Sequence, residues 1–379
     1  MKKILINASN LHNGGGVQVA TSFLLELSEL DFDLGCEIFL YVSSIVDENL
    51  KSTGFKSSKF KNYRILNIFG IRALDPRIAK NFSGFDLTFT IFGPLYLPKK
   101  IPNHIIGFAQ LWILEPKNEI SEKLRIFKRV SLQLKYLIQW VFFKISCARL
   151  IVEIDHVKRK LVDFKKFPED RVDVVFNCVS PIYREEAKWL KIDSLKLRDF
   201  SGVIRLGYVS RAYPHKNLEV LFDVAKNLKK ITKLNFEFFV TLNEDEWAKF
   251  SPDFRSEIKN IGPLNVAQCP TFYQSMDGVV FTSLLECFSA TPLEAMIMRR
   301  PLFASDRDFV RDCCADHAIY INPLDPVDIA TKINEWFSVE SKDSQVRCIE
   351  QAYKHVASLP NSRDRAINYV DIIKKQLNS

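Results

Sequence analysis

Short apolar runs alternate with amphipathic segments along the whole chain. The runs at residues 4–6, 37–42, 204–210 and 279–281 have the length and composition of buried strands. Their alternation with segments of helical spacing predicts an α/β fold with parallel sheets of the doubly wound type. The chain has 379 residues, which is more than one hydrophobic core usually supports, so two domains are expected.

The loop after the predicted strand at residues 204–210 contains two cations, Arg211 and Lys216. The next segment is predicted to be a helix because its apolar residues recur at helical spacing: Leu218, Leu221, Phe222, Ala225 and Leu228. The two cations therefore follow the carboxyl end of a strand, where open α/β sheets bind ligands. Fixed cations there would stabilise negative charge on a bound ligand. Two ordinary surface cations are the alternative.

Two glutamates, Glu286 and Glu294, lie on either side of the predicted start of a helix that follows the strand at residues 279–281. A helix N-terminus offers free N–H groups and a positive dipole end, which suit a phosphate or sugar hydroxyls. In the other interpretation, Thr291 to Glu294 is a capping box with Pro292 at the first helical position, and Glu294 closes the helix end. Both interpretations stay open on this segment alone.

The spacing Glu286-x7-Glu294, followed by residues 301–306, resembles a segment of the retaining glycosyltransferases of family 4, which have the GT-B fold. The segments at residues 204–217 and 151–179 resemble the same family, so the resemblance covers nearly the whole chain. It implies two Rossmann-like, doubly wound domains that face each other across a cleft.

The resemblance also implies the domain limits. An acceptor-binding domain would span residues 1–179, with a C-terminal helix at about 360–379 packing back on it. A nucleotide-sugar-binding domain would span residues 180–359. The catalytic roles would fall to Arg211, Lys216 and Glu286. Donor binding would fall to Gly15, Gly16, Leu264, Phe288, Ser289, Ala290 and Glu294, with Leu264 near the base, Glu294 on the ribose, and residues 288–290 presenting backbone amides.

A glycine run, Gly14 to Gly16, follows the first strand. The Gly-x-Gly-x-x-Gly spacing of dinucleotide sites is missing, and the second strand ends at Ser43 without the acidic residue that would hold an NAD ribose. An oxidoreductase is therefore disfavoured. By resemblance, Gly15 and Gly16 approach the donor, and His12 is a neighbour on the acceptor side. A purely structural turn is the alternative.

Many members of the family carry a histidine after a strand of the first domain, in the region that corresponds to residues 105–112 here. This chain has no histidine in that segment, and Gln110 is the nearest polar candidate for the acceptor side. The missing histidine weakens the assignment of the acceptor site more than it weakens the assignment of the reaction. In a retaining transfer the departing phosphate oxygen can take the acceptor's proton, so no protein base is strictly required.

The sequence predicts neither a metal nor a cofactor. Asp306-Arg307-Asp308 matches the Asp-x-Asp pattern of another glycosyltransferase fold, but such a short pattern arises easily by chance, and the family has a metal-free loop there. Arg211 and Lys216 would do the work of the metal. The eight cysteines form no metal-binding pattern and are interpreted as free thiols in a reducing cytoplasm. No signal peptide or membrane-spanning segment is predicted.

Charge is concentrated in the first half of the chain. Residues 51–150 contain 18 Lys and Arg against 5 Asp and Glu, a net +13. The basic segment 122–149 interleaves cations with apolar residues, which predicts contact with an anionic membrane surface and places Trp140, Phe142 and Phe143 near the headgroups. A core helix with a solvated basic face is the alternative. No nucleic-acid module is found, so nucleic acid is set aside as a partner.

The sequence thus predicts a retaining, metal-independent glycosyltransferase of surface polysaccharide or O-antigen assembly. It would move a sugar from a nucleotide-sugar donor to a lipid-linked or lipopolysaccharide-type glycan acceptor, peripherally on the cytoplasmic membrane face. A GT-B relative with epimerase or phosphorylase chemistry, or an inactive glycan-binding scaffold, is the alternative. The sequence specifies neither the sugar, its nucleotide, the accepting hydroxyl nor the oligomeric state.

Overall fold

The computed structural model describes residues 1–30, 35–97, 100–195 and 202–378. The chain divides into two compact units: unit 1 comprises Met1–Cys178 and Pro360–Ser379, and unit 2 comprises Val179–Leu359. Each unit is built on one parallel sheet with flanking helices. Two Rossmann-like sheets confirm the predicted fold class.

Unit 1 contains a seven-stranded sheet. Its strands are β1 (Lys2–Ala8), β2 (Cys36–Val42), β3 (Asn62–Ile65), β4 (Leu87–Thr90), β5 (His104–Gly107), β6 (Arg149–Val152) and β7 (Val172–Val174). Its first helices are α1 (Gly14–Glu29), α2 (Ser44–Lys51), α3 (Pro76–Ala79), α4 (Leu111–Leu114), α5 (Glu119–Glu122), α6 (Ile126–Ser146) and α7 (Asp155–Lys165). The strand order β3-β2-β1-β4-β5-β6-β7 reverses direction between β1 and β4.

Unit 2 contains a six-stranded sheet. Its strands are β8 (Val203–Tyr208), β9 (Asn235–Val240), β10 (Ile258–Asn260), β11 (Gly278–Phe281), β12 (Leu302–Ser305) and β13 (Ile319–Ile321). Its helices are α8 (Val220–Ile231), α9 (Glu244–Trp247), α10 (Pro252–Glu257), α11 (Cys269–Gln274), α12 (Ala290–Ile297), α13 (Asp308–Cys314), α14 (Pro326–Ser338) and α15 (Lys342–Ser358). The order β10-β9-β8-β11-β12-β13 reverses between β8 and β11, which is where ligands bind in such sheets.

The last helix, α16 (Ser362–Asn378), returns to unit 1 and completes its core. The ring of Tyr369 packs edge-on against Phe23 of α1, with ring centroids 5.0 Å apart. Arg365 is buried (2% exposed) and donates a hydrogen bond to Asn177. Asn177 in turn donates to Glu153 at 2.6 Å. The end of the chain is therefore fixed to the segment that follows β7 by both apolar packing and a buried polar chain.

Helix α6 packs on unit 1 through the residues that the sequence placed at the membrane. Trp140 and Phe143 are buried, and both contact Phe108, with ring centroids 6.5 and 5.1 Å away. Phe142 is half-buried against Tyr96. The prediction that Trp140 and Phe143 lie near lipid headgroups is therefore wrong, because both side chains are buried in unit 1. For Phe142 it stays a prediction.

Within the described ranges, no helix combines the length and the apolar character needed to cross a bilayer.

Candidate active site

Two loops of unit 2 meet where the strand order reverses, one after β8 and one after β11. The first contains a short 3-10 turn at Pro214–Lys216. The amide of Leu284 donates to the carbonyl of His215 at 2.7 Å, and the Thr282 hydroxyl donates to the carbonyl of Lys216 at 3.0 Å. These bonds form because β8 and β11 are adjacent parallel strands, whose carboxyl ends lie side by side. They fix the main chain around Lys216.

The Lys216 side chain forms an ion pair with Glu286 from the second loop. Its Nζ lies 2.7 Å from Oε1, and the two side chains are only 13% and 11% exposed. The Lys216 ammonium also lies 5.7 Å from the centroid of the Phe281 ring. Two of the three predicted catalytic residues are thus in direct contact, although 70 positions separate them in sequence.

Arg211 is bound to a different carboxylate. Its Nε donates to both carboxylate oxygens of Glu246, at 2.8 and 3.0 Å, while the Arg211 side chain is 55% exposed. Glu246 lies in α9 and forms a capping box with Asn243. No part of the sequence interpretation identified Glu246 as a partner of Arg211. The Asn-x-x-Glu capping pattern was the available signal, since it fixes Glu246 at a helix start.

Glu294 lies in the second turn of α12 and accepts a hydrogen bond of 2.8 Å from the Tyr273 hydroxyl. Burial raises the pKa of Glu294 above its usual range, and the hydroxyls of Tyr273 and Tyr183 and the Lys216 ammonium oppose that rise. Tyr273 was not identified from the sequence, where it is an ordinary aromatic residue 21 positions away.

The capping-box interpretation of Glu294 is wrong. Helix α12 begins at Ala290, one position before Thr291, and its N-cap is Ser289, whose side chain makes no capping hydrogen bond. Thr291 therefore lies inside the helix and cannot serve as its cap. Glu294 therefore does not close the start of this helix.

The remaining donor-site candidates of unit 2 lie in the loops of the same sheet. Phe288 precedes the N-cap of α12, Ser289 is that N-cap, and Ala290 is the first helical residue. Leu264 follows Gly262, whose φ of 86° lets the chain turn after β10. Leu264 is half-buried.

In unit 1, the predicted glycines occupy the first turn of α1, where the order of strands reverses. A Cβ on Gly16 would lie 3.4 Å from Leu11 and 3.5 Å from Phe92, whereas a Cβ on Gly15 would have no neighbour within 4 Å. Gly16 is therefore packed against its own unit. Gly15 has open space around it.

The two predicted acceptor-side residues also lie in unit 1. The His12 ring stacks on Phe69 with centroids 3.9 Å apart, and its Nε2 lies 2.8 Å from the carbonyl oxygen of Ile68. Gln110 is the N-cap of α4, is half-buried, and makes no capping hydrogen bond with its side chain. His12 is thus held by local contacts.

The Asp-x-Asp segment is occupied by an internal ion pair. Asp306 accepts hydrogen bonds from Nε and Nη2 of Arg311 at 2.5 and 2.9 Å, and this contact lowers the pKa of Asp306. Across the described part of the chain, no three His, Cys, Asp or Glu side chains are grouped so that they could hold a metal ion. Metal independence stays a prediction.

Comparison with known proteins shows which proteins share this fold. Residues 196–355, which make up most of unit 2, match the family model described as "Glycosyl transferases group 1". A glycosyltransferase from Rickettsia africae has the same fold, with a TM-score of 0.69 and 16% identity over 100% of this chain and 99% of that one. The Anabaena protein Alr3699/HepE, solved with UDP and glucose, has a TM-score of 0.65 and 13% identity over 99% and 100% of the two chains. The fold is therefore the GT-B fold of these glycosyltransferases, and the family match covers most of unit 2.

Among curated proteins, the chain is similar to the O-antigen chain mannosyltransferase RfbU of Salmonella typhimurium. The two are 20% identical over 246 residues, which is 62% of this chain and 60% of that protein. The similarity therefore spans about three fifths of the relative's length. Within the GT-B class, the resemblance to family 4 stays a prediction.

Proposed function

We propose that this protein is an active, retaining glycosyltransferase that transfers a sugar from a nucleotide-sugar donor. The observation that carries the proposal is the Lys216–Glu286 pair, held nearly buried at the carboxyl ends of β8 and β11. Open α/β sheets bind their ligands at this position. The relative solved with UDP and glucose supports a donor of that type.

In the proposed reaction, the donor diphosphate lies against the Lys216 ammonium and the Arg211 guanidinium. Both cations are already oriented by carboxylates, so little reorganisation is needed as charge grows on the departing phosphate. The backbone N–H groups at the start of α12 add a positive dipole end. These groups together would replace a metal ion, so the reaction needs none.

The two glutamates have different tasks in this proposal. Glu286 accepts hydrogen bonds from hydroxyls of the donor sugar, next to the cation that binds the phosphate. Glu294 accepts hydrogen bonds from the ribose, for which its carboxylate must be ionised. The bond between the anomeric carbon and the phosphate oxygen breaks, and the acceptor oxygen bonds to that carbon from the same face. The departing phosphate oxygen takes the acceptor's proton, so the configuration of the anomeric carbon is retained.

The proposed acceptor is a lipid-linked or lipopolysaccharide-type glycan at the cytoplasmic face of a membrane. Two observations support it: the similarity to an O-antigen chain mannosyltransferase, and the net +13 of residues 51–150. A cationic unit 1 would attract an anionic lipid surface and the glycan that the surface carries.

Calorimetric titration with UDP-, GDP- and dTDP-sugars tests the proposal on the wild type, on Glu294→Ala and on Glu257→Ala as a control. Glu257 pairs with Lys229 in the same unit, and neither residue is among the predicted site residues. We expect one donor to bind tightly, to lose at least tenfold in affinity with Glu294→Ala, and to bind Glu257→Ala normally. Absence of binding by every donor contradicts the proposal. Binding without turnover indicates a scaffold, and sugar release that requires phosphate indicates a phosphorylase.

A further inference from the structure

Helix α6 has a second apolar side that faces away from its core contacts. Its buried residues are Gln139, Trp140, Phe143 and Ser146. The opposite side presents eight large apolar residues, each between 43% and 91% exposed: Ile126, Phe127, Val130, Leu134, Leu137, Ile138, Val141 and Ile145. At 100° per residue these eight fall within a sector of about 120°, so they form one continuous band. We call this band the outer stripe of α6.

The outer stripe is too large to be ordinary surface. Single exposed apolar residues need no explanation, but a contiguous apolar patch marks a site of interaction. The stripe runs from the first residue of α6 to the last but one, which is about 30 Å at 1.5 Å per residue. A helix that is apolar on two sides is expected to be covered on both. In unit 1, one of the two sides is covered by the core.

The charges around the outer stripe define what could cover the other side. Residues 122–149 contain seven Lys and Arg and one acidic residue, Glu122. On a helical projection, Lys144 lies at one edge of the stripe, in line with Ile126. Lys135 and Lys128 lie about 60° and 80° beyond Ile138, which marks the other edge. All three lysines are exposed. Their long side chains can extend past the apolar band and reach anionic groups above it.

We propose that the outer stripe of α6 inserts into an anionic lipid surface, with the helix lying in the plane of the membrane. An apolar face flanked by lysines is the composition that binds at the boundary between headgroups and acyl chains. A second copy of the chain fits less well, because a symmetric contact would bring two lysine-rich borders together. The choice of a membrane rests on the proposed function, in which the acceptor is lipid-linked.

The inference is tested by sedimenting the full chain with phosphatidylglycerol vesicles and with phosphatidylcholine vesicles, in the absence of donor and acceptor. We expect at least tenfold stronger binding to the anionic vesicles. The triple variant Phe127→Ser, Leu134→Ser, Ile138→Ser should lose this binding while its thermal unfolding stays unchanged, since the three side chains are exposed. The control triple variant Val339→Ser, Val346→Ser, Leu324→Ser removes exposed apolar residues of unit 2 and should bind as the wild type does.

A charge series separates the contribution of the lysines from that of the apolar band. Each of Lys128→Gln, Lys135→Gln and Lys144→Gln should weaken binding to anionic vesicles about fivefold at low salt. Wild-type protein that binds neither kind of vesicle overturns the inference, as does a triple variant that still binds. Self-association that the triple variant abolishes would instead assign the stripe to a second copy. Donor calorimetry is independent of lipid, so failure here is distinguishable from failure of the proposed function.

Discussion

The Tyr273 hydroxyl donates a 2.8 Å hydrogen bond to Oε2 of Glu294. This bond opposes the effect of burial, which raises the pKa of Glu294. Tyr273 itself is buried in α11, and its hydroxyl pKa is raised by burial and by the nearby carboxylate, so it stays a proton donor. We therefore propose that Tyr273 is a positioning residue, which orients the Glu294 carboxylate and favours its ionised form.

Tyr273→Phe should weaken donor binding about tenfold. A hydrogen bond to a charged group contributes about 1.5–3 kcal/mol. Without the bond from Tyr273, the Glu294 carboxylate is less well ordered, and binding of the donor has to restore its orientation. Calorimetric titration with the preferred donor measures the effect. Tyr63→Phe is a matched control, because the Tyr63 hydroxyl donates to Asp47 at 2.7 Å in unit 1. The positioning role is refuted if both variants change donor affinity equally.

The same variant should shift the pH dependence of donor binding. Ribose binding needs ionised Glu294, so kcat/KM for the donor should fall as pH decreases through the pKa of Glu294 in the free enzyme. Removing the Tyr273 hydroxyl takes away a contact that lowers this pKa. The acidic limb of the profile in Tyr273→Phe should therefore lie at higher pH than in the wild type. An unchanged limb, together with reduced affinity, would indicate a loss of packing alone.

Glu286→Gln should reduce kcat by about 10²-fold or more, a loss typical of removing one charge-stabilising group from an active site. It should also destabilise unit 2, since the Lys216 ammonium would remain nearly buried without its counter-ion. Assays should therefore be run well below the melting temperature of the variant. Lys229→Met breaks an exposed pair with Glu257 in the same unit and should leave kcat and stability nearly unchanged. If Glu286→Gln and Lys229→Met had the same kcat, Glu286 would have no part in the reaction.

Activity should survive an excess of EDTA, because Lys216 and Arg211 are proposed to neutralise the diphosphate. Asp306→Asn should likewise be nearly neutral for turnover, since Asp306 is engaged by Arg311. Turnover is measured as release of nucleoside diphosphate before and after chelation. Loss of activity in EDTA that magnesium or manganese restores would contradict a metal-independent reaction.

Arg365→Met should lower the free energy of unfolding of unit 1 by on the order of 2–3 kcal/mol. The substitution removes the cation that donates to Asn177 inside the core and leaves polar atoms there without this partner. Arg363→Met, two positions earlier on the exposed side of α16, should change the value by less than about 0.5 kcal/mol. Urea unfolding of both variants measures the difference. Equal stability would mean that α16 is held by its apolar face alone.

Much of the fold was predictable from local pattern. A strand such as Val279 to Phe281 is an apolar run between polar loops, and α8 has a regular apolar stripe, so both are specified by neighbouring residues. The capping-box interpretation placed the start of α12 incorrectly, because the Thr291-x-x-Glu294 pattern fits a capping box as well as a helix interior. Local pattern cannot distinguish these when tertiary packing decides which turn begins the helix.

The sequence by itself determined that the chain alternates strands and helices and that Lys216, Glu286 and Glu294 are candidates for chemistry. Only the tertiary structure decided which groups touch: Lys216 with Glu286, Arg211 with Glu246, and Glu294 with Tyr273. It also decided that Trp140 faces the core while Phe127 faces outward. The physical reason is that periodicity records which residues of a segment share a face. Which face is buried depends on partners far away in sequence, such as Phe108 for α6.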